Sequence, residues 1–245
     1  QRLKRRRGAL EDQARAALAE AAATARCLLV PATTPAGVPV PLALVDLPDT
    51  LRRSLDTAML TLPEAEMRGF DPTLLRLDGL AEAALERGGD GRAAGWIVPV
   101  DFDSLTLRHR RERCMTQLSA LPAVLRQRVT PLLSQLPRSV YQARVVDALR
   151  MLKGYGRAVG IEVDDLDALP FDPRTRTVGL VLVTGAALSD QLRRRRSAAL
   201  AATLQRLRAE SIRVVARDTA GLAATDLARL GVDLVVNEAA ETRRR

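Results

Sequence analysis

"RVVARDTAGLAATDLARLGVDLVV", residues 213–236, is an apolar run, a glycine-bearing loop, a short helix-forming stretch and a second apolar run. Two continuous apolar runs joined through a helix belong to a parallel sheet covered on both faces, because alternating polar positions are missing. The first run ends on Arg217 and Asp218, the second on Asn237 and Glu238. In a parallel arrangement these ends carry the chemistry.

Upstream the same rhythm repeats. "GWIVPVDF" (95–102), "RVTPLLSQL" (128–136), "RAVGIEVDDL" (157–166) and "TVGLVLVTG" (177–185) read as strands. Between them 104–121, 139–156 and 188–211 carry helical periodicity, with Leu192, Leu200, Leu204 and Leu207 on one face of the last. Residues 49–90 give two helices that end at the glycine-rich "GGDG" (88–91). Two short apolar runs, 27–30 and 42–45, flank a Pro, Gly and Thr turn and read as a hairpin or a strand pair. Seven or eight strands in 245 residues favour a closed α/β barrel of the (β/α)8 TIM type, modified or incomplete at its start. An open doubly wound sheet is the alternative. Residues 9–26 have high helix propensity and no Gly or Pro, so 1–26 reads as an N-terminal linker helix and 27–245 as the barrel.

Composition narrows the function classes. Aromatic residues make up 2% of the chain, which leaves few platforms for stacking bases or sugars. The formal net charge is +9, and Lys4 and Lys153 are the only lysines. An arginine bias beside abundant alanine reflects a GC-rich genome more readily than a nucleic-acid surface. Arg5 to Arg7, Arg193 to Arg196 and Arg243 to Arg245 concentrate the charge without interleaved aromatics. Cys27 and Cys114 lie far apart with no zinc spacing and read as reduced and partly buried, which fits a cytoplasmic protein. No stretch reaches the ~20 apolar residues of a membrane span. The single histidine, His109, sits in "RHRRER", a solvated helix face without acid–base potential. Gly154 and Gly156 in "KGYGR" form no GxGxxG and read as a helix cap.

The segment "LRAESIRVVARDTAGLAATDLARLGVDLVV" resembles the last third of an EAL domain, with its "viAEGVET" and "lGvdlvQGy" pattern. The order "WIVPVDF…RVTPLLSQLP…VDD…VGLVLV…ARDTAG" is similar to that family's "isvN…EiTE…DDFG…lKiD…AEGVE" over about residues 27–238. The resemblance implies a barrel phosphodiesterase fold, and the family's activity is two-metal linearisation of cyclic di-GMP. Carried over residue by residue, it also implies lost catalysis. The glutamate of the EAL motif has no counterpart among residues 27–46, where Asp46 alone offers a carboxylate. The asparagine ligand becomes Asp101, and the "EiTE" glutamates fall near Leu132 and Gln135. The "DDFG" aspartates fall on Asp164 and Asp165, with Glu162 competing for the place. The "AEGVE" glutamate is Arg217, whose guanidinium repels a cation.

The candidate rim and ligand-binding residues are therefore Asp101, Gln135, Glu162, Asp164, Asp165, Arg217 and Asp218, with no catalytic residue, no metal ligand and no cofactor expected. Plain roles compete with these: Asp101 as a cap for the helix near Ser104, Asp164 and Asp165 as caps, Arg217 and Asp218 paired with neighbours at the rim, and Glu162 paired with Arg157. The leading expectation is a degenerate EAL-like signalling scaffold in the cytoplasm. Its partners are a protein or an upstream signalling domain, cyclic di-GMP being a further candidate, with the N-terminal helix available for homodimerisation. The alternatives are a basic nucleic-acid-binding module and a divergent cyclic-dinucleotide phosphodiesterase built on Asp101, Glu162, Asp164 and Asp165.

Overall fold

The computed structural model describes residues 2–24, 26–67, 70–86, 95–166, 168–193 and 197–237. The Gly-rich "GGDG", Arg194 to Arg196, Glu238 and Arg243 to Arg245 lie outside them. Among the described residues the chain opens with α1 (Arg2–Thr24), then β1 (Leu28–Thr33), β2 (Pro39–Asp46), α2 (Asp49–Thr61), α3 (Glu64–Met67) and α4 (Pro72–Glu86). It continues with β3 (Gly95–Asp101), α5 (Phe102–Thr106), α6 (Arg108–Ala120), α7 (Ala123–Arg126), β4 (Val129–Ser134), α8 (Gln142–Leu152) and β5 (Gly160–Val163). Last come β6 (Leu180–Thr184), α9 (Gly185–Arg193), α10 (Ser197–Ala209), β7 (Arg213–Arg217), α11 (Ala224–Leu230) and β8 (Leu234–Val236).

The strands close in sequence order into one barrel, β1 to β8. Strands β2 to β8 run parallel, whereas β1 runs antiparallel to both its neighbours. The opening strand is thus present, inverted by the tight turn between Thr34 and Val38. The apolar runs 27–30 and 42–45 pair as the sequence suggested, and the closed barrel is the favoured architecture of the two.

Strand alternation divides the apolar residues between two layers. Val30, Ala32, Leu44, Ile97, Leu132, Leu182, Val215 and Leu234 fill the barrel. Their neighbours, among them Val45, Val98, Val100, Leu133, Ile161, Val181 and Val214, face outward under the helices. Helix α1 is docked on the barrel's helical shell, since Ala14 and Leu18 are buried with Leu47, Leu51, Leu55 and Ala58 of the α2 region. No helix among the described residues is long and apolar enough to cross a membrane.

Candidate functional site

The period of two that fills the barrel also decides what sits at its mouth. Two residues beyond the inward-facing Leu44, Leu132, Leu182 and Val215, the same faces carry Asp46, Ser134, Thr184 and Arg217. Asp101 follows four residues after Ile97, and Glu162 pairs in register with Leu182, one layer deeper. A polar collar therefore caps an apolar core at the C-terminal ends of the strands, where barrel enzymes place their chemistry.

The collar is held by guanidinium groups. Asp46 is 1% exposed. Its Oδ1 accepts from Arg52 at 2.9 Å and from the Leu47 backbone N–H at 2.8 Å, and its Oδ2 accepts from Arg217. Arg217 also reaches Asp218 at 3.2 Å through Nε. At the end of the adjacent strand β3, Arg76, which projects from α4 and is 8% exposed, donates Nη1 to Asp101 Oδ1 at 3.0 Å. Ser134 Oγ donates to the same oxygen at 3.1 Å. Beneath this pair, Ser104 Oγ donates to Asp71 at 3.0 and 3.1 Å, and Thr73 Oγ1 accepts from the Asp101 backbone N–H at 3.0 Å. These buried carboxylates are paired as low-dielectric burial requires.

Glu162 sits half-buried between the two guanidinium-bearing sides. Burial pushes its carboxyl above the usual range, while Arg217 and Arg76 draw it back down. A carboxyl whose pKa is raised by folding favours the folded state below its unfolded pKa, and that contribution is lost as pH rises through the folded value. Glu162→Gln is therefore expected to be more stable than the parent at pH 7, with the difference vanishing under acid conditions below the ordinary glutamate range. Urea unfolding across that pH span checks it; a constant difference would assign Glu162 a fixed ion-pair role instead.

The remaining candidates line the rim. Glu162, Asp164, Asp165 and Gln135 border a cleft of about 750 Å³, walled by Leu136, Pro137, Val140 and Leu169, with Arg138 at its edge. Asp165 accepts from Gln191 Nε2 at 2.7 Å. Gln135 and Asp218 both hold left-handed backbone, at φ 55° and 54°, a conformation uncommon for non-glycine residues. Asp101 is the residue before α5, but its side chain makes no cap and goes to Arg76 and Ser134. The cations acting on Glu162 are Arg217 and Arg76 rather than Arg157, which lies at the other end of β5. Arg217 pairs at the rim with Asp46 and with its own neighbour Asp218. Both thiols are free, and burial pushes Cys27 up to about 11 and Cys114 up to about 12.

Sequence reading missed the roles of Arg76 and Arg52. Arg76 had a signal, a lone arginine inside the apolar stripe Leu74, Leu77 and Leu80 of α4. An arginine on a buried helix face needs an acid, and Asp101 supplies it.

No family model matches the chain, and no curated protein matches it. Solved structures do. The PaMucR phosphodiesterase in complex with c-di-GMP superposes with a TM-score of 0.65 at 15% identity, covering 93% of this chain and 94% of that one. The barrel has the fold of EAL domains. The Xanthomonas citri FimX EAL domain in complex with c-di-GMP gives 0.62 at 17% identity over 96% of this chain and 92% of its own. The EAL enzyme Bd1971 in its cGMP-bound form gives 0.62 at 11% identity over 95% of this chain, which spans only 64% of that longer protein.

At the mouth, both Asp46 oxygens and Asp101 Oδ1 are already committed to arginine, serine or backbone donors, which leaves them poorly disposed to ligate a divalent metal. Among the described residues no group of three or more His, Cys, Asp or Glu is placed to hold a metal ion.

Proposed function

We propose that this chain is a degenerate EAL-like domain acting as a non-catalytic signalling module of the cytoplasm. The observation that carries the reading is the capture of the mouth carboxylates by Arg52, Arg76 and Arg217. A fixed guanidinium supplies the positive charge that a catalytic cation would bring, but it has no open coordination position at which to activate water. The fold is retained and the metal chemistry is not.

Output then runs through surfaces. Residues 1–26 link the barrel at 27–245 to an upstream signalling domain, and the docking of α1 on α2 through Ala14 and Leu18 makes that link rigid. Leu10, 59% exposed on the same helix, is available to a second copy or to a protein partner. The rim cleft, with Arg138 at its edge, is the place for cyclic di-GMP, the ligand that solved neighbours of this fold hold in their complexes.

Calorimetric titration with cyclic di-GMP, with and without Mg²⁺, tests the reading, followed by chromatography of the nucleotide. Binding of micromolar strength or tighter that is indifferent to Mg²⁺, with the nucleotide recovered intact, is the expected receptor behaviour. Absence of binding would leave a protein-interaction scaffold, still non-catalytic. Cation-dependent formation of the linear dinucleotide would overturn the proposal.

A further inference from the structure

At the end of the barrel opposite the mouth, where β4 and β5 begin, a hollow of about 410 Å³ is lined by Ala123, Arg126, Gln127, Gly154, Gly156 and Arg157. That volume lies within the ~300–1,000 Å³ of small-ligand sites. It has no part in the collar at the mouth, and it stands independently of the function proposed above.

Two backbone segments build it, and they are locked together. The Arg157 N–H donates to Val129 O at 2.9 Å. A Cβ at Gly156 would stand 2.5 Å from both Val129 O and Pro131 Cδ, so only glycine lets the segments meet. At Gly154, by contrast, an added Cβ meets nothing within 4 Å, so this turn leaves open space beside it. The "KGYGR" stretch is thus more than a helix end: it sets Arg157 on the lining of the same hollow as Arg126.

The charge of this hollow is one-sided. Neither 122–131 nor 151–161 contains a single Asp or Glu. Among the described residues Arg126 and Arg157 take part in no ion pair, and the Nε of Arg126 is buried without a hydrogen-bond partner. The Leu149, Arg150 and Leu152 carbonyls at the end of α8 accept from the Lys153 and Tyr155 backbone N–H groups. A desolvated guanidinium donor left without an acceptor is costly, and a bound oxyanion supplies both the acceptor and the counter-charge. The planar arginine fork matches phosphate oxygens in particular.

We propose that this hollow is an oxyanion site, held by Arg126 and Arg157, that takes the phosphate group of a small molecule. The shared chemistry is a tetrahedral phosphate, whether free inorganic phosphate or the terminal group of a phosphate ester or anhydride. Inorganic phosphate and pyrophosphate are the probes, titrated calorimetrically at low ionic strength into the full chain and into Arg126→Met/Arg157→Met. The control is Arg206→Met/Arg229→Met, which removes the same charge from exposed positions on α10 and α11. Saturable binding weakened about tenfold or more by the first pair, and scarcely by the control, is expected for two lost charge-assisted hydrogen bonds. Preference for pyrophosphate over phosphate would assign the site to a polyphosphate terminus, and equal affinity to a single phosphate group. Heat too small to fit at millimolar concentration, or equal loss in both doubles, would overturn the site in favour of diffuse charge attraction. Should the first double unfold, Arg157→Met alone, at an exposed position, carries the same test.

Discussion

Arg217→Met is expected to cost the fold about 3 kcal/mol, because removing one partner of a buried ion pair leaves an uncompensated charge behind. The charge is that of Asp46, 1% exposed and bridged by Arg217 on one oxygen and by Arg52 on the other. Arg52 remains in the variant, which sets the loss at the lower end of the range for such pairs. For a chain of this length the loss corresponds to a melting temperature lower by roughly 6–12 °C. Arg217→Lys keeps the charge but not the fork that reaches both Asp46 and Asp218, so its loss is expected to be smaller. Differential scanning calorimetry of the two variants checks the pair. A methionine variant melting with the parent would mean that the guanidinium offers Asp46 nothing that Arg52 and the Leu47 N–H do not.

The second large effect is expected at Gly185, the first residue of α9. A Cβ there would stand 2.3 Å from Asp218 O and 2.8 Å from Thr219 Cα. Both are backbone atoms, so no side chain can rotate out of the way. Asp218 already holds left-handed backbone, and the loop after it is pinned where Thr219 N–H donates to Asn237 Oδ1 at 2.9 Å. Gly185→Ala must therefore push β6 and the β7 loop apart, at a cost of about 3 kcal/mol, the upper part of the usual range for overpacking. Chemical denaturation would show it as a lower midpoint with an unchanged slope. A midpoint equal to the parent's would mean that the loop yields freely, contrary to its hydrogen bonding.

Much of the fold was legible because parallel strands announce themselves. The apolar runs in 95–102, 128–136, 177–185 and 213–236 all lie on observed strands, and Leu192, Leu200, Leu204 and Leu207 lie on helices after β6. The inversion of β1 was half legible. A hairpin across the short Pro, Gly and Thr turn makes β1 antiparallel to β2, but that the same strand also closes antiparallel onto β8 is visible only in the barrel. Boundaries also slipped where local breaks are silent: 104–121 divides at Leu107 into α5 and α6, and the strand expected over 157–166 narrows to four residues.

The site was legible by position but not by partnership. Strand ends located Asp101, Glu162 and Arg217, since their place follows from the period of the strands. Which acid meets which arginine depends on how far around the barrel two ends lie. That distance is set by closure for Arg217 with Asp46, while Arg76 reaches Asp101 from helix α4 rather than from a strand end, so both pairs emerge only in three dimensions.

The Arg217–Asp46 contact joins residues 171 positions apart. Such a contact forms only after the entropy of closing a very long loop has been met, and it gives nothing to a chain that has laid down β1 to β6 and stopped. Until β7 arrives, Asp46 lacks one of its two guanidiniums and Glu162 lacks the stronger of its two compensating charges. Of the collar, the Arg217–Asp46 bridge alone therefore waits for β7, whereas Arg76–Asp101 and Arg52–Asp46 need no closure. That one bridge distinguishes a closed barrel from a chain that lacks its last strands.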